Sequence, residues 1–157
     1  MKYDNIFLDK NIIFDYARIK IFKQESFSYK QSLILIDKIL QGEIKANIDC
    51  TTVFAVYNYI SYKLNKPEFR GGKGLELEVA QKTAREFVKN VFMKESWIIH
   101  GLNREHIFKA IEDSSYDLED SWQFYAYKKS MSSIFVTWNI KHFKDNAITP
   151  KKLLIAK

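Results

Sequence analysis

Ile6-Phe7-Leu8-Asp9-Lys10-Asn11-Ile12-Ile13-Phe14-Asp15 is the stretch on which the reading of the fold turns. Ile6, Phe7 and Leu8 make a short apolar strand that ends on an acid, Asp9. Asn11 follows two residues later, and Asp15 lies in the helical run beyond it. Asn11 and Asp15 are four apart and so share a helix face; they also suit the plain role of decorating a helix start. An acid at the carboxyl tip of an early buried strand sits where open α/β sheets place their ligand crevice. The far end of the chain carries matching features. Asp117-Leu118-Glu119-Asp120 opens a helix, with Asp117 a good N-cap, and Ile134-Phe135-Val136-Thr137-Trp138-Asn139 is another apolar strand ending in polar groups. These tips meet only if one sheet edge collects them.

Working outward, helices are expected over residues 12 to 22, 29 to 40 and 75 to 92, where apolar residues recur at helical spacing. A further helix to residue 64 is expected to be capped by Thr51 or Thr52. Asn103 and Asp117 mark two more helix starts, and a last short helix covers residues 151 to 156. Strands are expected at 6 to 8, 46 to 48, 97 to 99 and 134 to 137, with 147 to 149 as a short edge strand. Strands alternating with helices imply a parallel sheet covered on both faces.

The chain of 157 residues suits one domain, 1–157. Apolar residues make up 46% and charged residues 28%, a globular balance with no apolar run near the roughly 20 residues that span a bilayer. The start, Met1-Lys2-Tyr3-Asp4-Asn5, runs into a strand and does not resemble a signal peptide. One cysteine, Cys50, makes no internal disulfide, so the expected compartment is a reducing cytoplasm. The net charge of +6 favours a polyanionic partner, although a lysine-rich solvated surface gives the same count. Lys63, Lys66, Arg70 and Lys73 gather near one loop and suit a phosphate backbone or a solvated helix end. Gly71-Gly72-Lys73-Gly74 lacks the Gly-Lys-Ser/Thr ending of a P-loop. His100, His106 and His142 show no zinc spacing, and Cys50 has no nearby histidine for nucleophilic chemistry.

Taken together, these segments resemble the PIN-domain family of small metal-dependent ribonucleases over nearly the whole chain. Asp9, Asn11 and Asp15 match its opening Asp-x-Asn and second Asp. Asp117-Leu118-Glu119-Asp120 is similar to its central Asp-Phe-Glu-Asp. Thr137-Trp138-Asn139, followed by Phe143, is similar to its late Thr-Arg-Asn, with Trp138 in place of the arginine. Ile148-Thr149-Pro150-Lys151-Lys152-Leu153-Leu154 fits its closing segment.

The resemblance implies a three-layer α/β fold with a central, mostly parallel sheet of four to five strands. It implies a Mg²⁺ or Mn²⁺ site with Asp9 and Asp120 as ligands and Asn139 at a third catalytic position. Asn11, Asp15, Glu119 and Thr137 would orient those ligands and their waters, and Lys63, Lys66, Arg70 and Lys73 would meet RNA. It further implies endoribonuclease activity, the toxin role in a toxin–antitoxin pair, a small antitoxin as partner and a homodimer. One departure stands out. The family carries a Glu about six residues into the segment after its second strand, where this chain has Ala55; Asp49 and Asn58 are the nearest oxygen-bearing side chains considered. Two carboxylates instead of three or four imply a weak or Mn²⁺-preferring nuclease, or else a PIN-like binding or scaffolding module whose site has decayed.

Overall fold

The structure is a computed structural model that describes residues 3–68, 74–112, 117–143 and 147–155. Five strands form one sheet: β1 (Asn5–Leu8), β2 (Lys45–Asp49), β3 (Trp97–His100), β4 (Ile134–Val136) and β5 (Ala147–Ile148). Their spatial order is β3-β2-β1-β4-β5, and every pair is parallel. Parallel neighbours need crossovers, and helices supply them. They are α1 (Lys10–Lys20) and α2 (Phe27–Leu40), then α3 (Cys50–Asn65) and α4 (Leu77–Phe92). After β3 come α5 (Arg104–Glu112) and α6 (Leu118–Ser130), and after β4 the single turn α7 (Ile140–Phe143). α8 (Pro150–Ile155) follows β5.

The strand pleat divides the core into two. Ile6, Leu8, Ala46, Ile48, Ile134 and Val136 face one way and pack with side chains of α1 to α4 and α8. Phe7 and Phe135 face the other way, against Ala126 and Tyr127 of α6 and Phe143 of α7. The strands β1 and β4, buried on both faces, read as apolar runs for that reason. The result is a three-layer α/β fold. Among the described residues, no helix is long and apolar enough to cross a membrane.

Two local expectations are corrected. The cap of α3 is Asp49 and not a threonine. Its Oδ1 accepts from the backbone N–H groups of Thr51 (2.9 Å) and Thr52 (3.1 Å), and the Thr52 hydroxyl donates to Oδ2 at 2.8 Å. The Thr51 hydroxyl donates to the Oδ1 atom as well. A carboxylate takes all four donors at once, so the threonines serve the cap as donors. The second is the four-residue turn α7, too short to leave a periodic signal in the sequence.

Candidate active site

From β1 the chain moves outward to β2 and β3, then returns to place β4 on the other side of β1. The tips of β1 and β4 therefore flank a topological switch point, where the connecting helices leave on opposite faces of the sheet. Leu8 pairs with Val136, so the next rung brings Asp9 beside Thr137.

Asp9 caps α1 and is almost wholly buried. Its Oδ1 accepts from the backbone N–H of Asn11 at 3.1 Å. Its Oδ2 accepts from the Asn11 side-chain amide at 3.3 Å and from the Thr137 hydroxyl at 2.6 Å. The same Thr137 oxygen accepts from the Asn139 backbone N–H at 2.9 Å, so one hydroxyl ties the β4 tip to the acid. Burial pushes the Asp9 carboxyl above its ordinary range; the Thr137 and Asn11 donors oppose that shift, and the negative charge of Asp120 adds to it.

Asp120 arrives from the opposite end of the chain. Asp117 caps α6 and accepts the Asp120 backbone N–H at 2.8 Å, which places Asp120 in the first turn of that helix. The positive end of the helix dipole favours an acid there. An ion pair between Lys10 and Glu119 fastens the start of α1 to the start of α6. The structure thus brings Asp9, Asn11, Thr137, Asn139, Glu119 and Asp120 to one edge, as three tips meeting from distant sequence.

Asp15 is buried but differently engaged. Its Oδ1 accepts from Arg18 at 2.6 Å, and its Oδ2 accepts from the Ser32 hydroxyl at 3.1 Å and the Trp138 indole at 2.9 Å. Both oxygens are taken up inside the α1–α2 layer. Ala55 and Asn58 lie on α3, which carries no acid along its length, and Asp49 spends its oxygens on the α3 cap.

Lys63 and Lys66 lie at the far end of α3, over the rings of Tyr59 (4.9 Å) and Tyr62 (4.4 Å) respectively. Helix rise puts Lys63 about 20 Å along α3 from the Asp49 cap, so these cations are not beside Asp9. Arg70 and Lys73 lie outside the described residues.

The oxygen donors suit a hard divalent cation such as Mg²⁺ or Mn²⁺. Burial is the main cause of the raised Asp9 pKa; a cation between Asp9 and Asp120 would favour the ionised carboxyl and offset the smaller Asp120 repulsion. Among the described residues, no three His, Cys, Asp or Glu side chains gather as a full metal centre would require. Asp9 and Asp120 are the two carboxylates that would hold such a cation.

Sequence reasoning missed Lys10, Ser32 and the buried polar chain through Asn47. Asn47 donates from Nδ2 to the Ile6 carbonyl at 3.0 Å, and its Oδ1 lies 2.8 Å from His100 Nε2. A polar residue inside an otherwise apolar strand was the available signal. Comparison of the sequence with models of known protein families gives no match, and comparison with curated proteins gives none.

Proposed function

We propose that the chain is a metal-dependent endoribonuclease that cleaves RNA phosphodiesters at the Asp9–Asp120 edge. The observation that carries this reading is the buried Asp9 at the tip of β1, bonded to Thr137 at the tip of β4 beside the switch point, with Asp120 in the first turn of α6. Phosphodiester cleavage wants clustered acids with oxygen donors; the half-buried Asp120 and Asn139 and the buried Asp9 would be those groups. The cation, when bound, lowers the pKa of a water and withdraws charge from a phosphate oxygen. Thr137 and Asn11 hold the Asp9 oxygens in place for it. The net charge of +6 favours a polyanionic substrate, and Lys63 and Lys66, at the far end of α3, would meet only phosphates distant from the scissile one.

Unsatisfied polarity next to the site also supports the reading. Ser121 Oγ, Trp122 Nε1 and Gln123 Oε1, directly after Asp120, are buried without a hydrogen-bond partner among the described residues. Such local costs concentrate at functional sites.

The toxin role of a toxin–antitoxin pair, with a small antitoxin, a homodimeric state and a cytoplasmic setting, belongs to the same proposal. An open apolar groove of about 680 Å³ beside α3 and α4, lined by Phe54, Tyr57, Phe92, Met93 and Ile99, is a surface that a partner chain would cover. A second reading, a PIN-like binding module with a decayed site, is favoured by the acid-free α3 and by Asp49 being consumed in a cap.

One assay separates the two. The first reading expects cleavage of a generic RNA in millimolar Mn²⁺, reduced at least about a hundredfold in Asp120→Asn and Asp9→Asn, the scale of a lost electrostatic catalyst. Cleavage unchanged by either substitution would sink it, and no cleavage with no Mn²⁺ binding would favour the binding module.

A further inference from the structure

We propose that Trp138 is a positioning residue that holds the Thr137–Asn139 turn over the Asp9 carboxylate through its indole hydrogen bond to Asp15; this rests on reading Asp9 and Asp120 as a divalent-cation site. β4 ends at Val136, and in the turn that follows the Thr137 N–H still donates to the Ile148 carbonyl of β5 at 3.0 Å. Two side chains of the turn also clip it to α1. Thr137 reaches the Asp9 cap at the start of α1 (2.6 Å). Trp138 reaches Asp15, a turn and a half further along the same helix (2.9 Å), and also lies 3.2 Å from the Ser32 hydroxyl on α2. The Thr137 bond alone lies at one end of the turn; the Trp138 bond adds a second side-chain tie to α1 and so helps set where Asn139 sits.

The anchor is itself braced. Arg18 holds Asp15 at 2.6 Å and also donates to the Tyr59 hydroxyl at 3.0 Å, and Trp138 packs against the larger core cluster. A bond to a buried carboxylate is charge-assisted and stronger than a neutral one. A neutral donor suits position 138, because Arg18 already balances the Asp15 charge. With its charge balanced by Arg18, Asp15 acts as the post to which the turn is tied.

Trp138→Phe keeps an aromatic ring against the core, removes the donor and also loses part of the indole's packed volume. In metal-free protein, the Asn139 amide is expected to exchange with solvent about tenfold faster relative to the Val136 amide, the size of one lost hydrogen bond. Mn²⁺ affinity, read by electron paramagnetic resonance, is expected to fall about tenfold, as when a ligand loses its support. Ser32→Ala is the control: it removes a buried bond of the same network and lowers the melting temperature, yet leaves the direct Trp138–Asp15 bond and both readouts in place. The proposal is overturned if Asn139 exchange rises no more than Val136 exchange in Trp138→Phe, or if Ser32→Ala moves both readouts equally. If the unaltered chain binds no Mn²⁺, the nuclease reading falls, and amide exchange alone still decides the clamp.

Discussion

Asp9 holds its proton more tightly in the folded chain than an exposed aspartate would, chiefly because it is buried and partly because Asp120 faces it. The consequence for stability follows from linkage. A carboxyl raised above its ordinary 3.8 favours the folded state fully below that value, and the benefit is lost as pH rises through the folded pKa. At pH 7 the ionised group is therefore a net cost. Asp9→Asn, which keeps the shape, removes the charge and gives up one acceptor oxygen, is expected to raise the melting midpoint in EDTA at pH 7. The gain should shrink as the pH falls toward 4. Thermal melts at both pH values check this, and an equal loss of stability at each would refute it. His100 pulls the other way: burial first, then the Lys129 charge, lowers its pKa, so acidification costs the fold there and must be subtracted using the unaltered chain. At this scale the acids themselves were legible in the sequence, because a charged residue beside an apolar strand is conspicuous. Their partners were not. Nothing in one-dimensional spacing connects Trp138 to Asp15 or Thr137 to Asp9, since those bonds cross the sheet and the α1 layer.

The elements were easier to see than their ends. α6 starts where Asp117 announces it, and Asn103 caps α5 through a 2.9 Å bond from the His106 N–H. α3 shows the limit of that reading. Its hydroxyl-rich start suggested a threonine cap, while the stronger acceptor one residue earlier took the place. Asp49 is fully buried and gathers two backbone and two hydroxyl donors. Asp49→Ala is expected to cost about 2 kcal/mol, the upper end for a lost cap, because the buried Thr52 hydroxyl is stranded with it. Urea unfolding measures the cost. The same variant should leave Mn²⁺ affinity unchanged; a large loss of affinity with little loss of stability would instead make Asp49 a ligand. α6 is the element that obeys local rules least. Its polar residues Ser121 and Gln123 are buried against the rest of the fold, and its periodicity alone would not have placed it on the sheet.

At the scale of the whole molecule, alternation of strands and helices was enough to foresee a parallel sheet covered on both faces. The strand order was not, because order depends on which crossover returns to β1, and no local signal encodes that choice. The order β3-β2-β1-β4-β5 is nevertheless what makes the proposed chemistry possible. It sets β1 and β4 side by side with α6 above them, so that acids from the two ends of the chain reach one edge. The most direct measurement is a Mn²⁺ titration followed by amide resonance broadening. The expected result is early, selective loss of signals around Asp9, Asp120 and Asn139, abolished in Asp120→Asn. Broadening spread over the acidic surface, or centred elsewhere and indifferent to Asp120→Asn, would contradict a shared Asp9–Asp120 cation site.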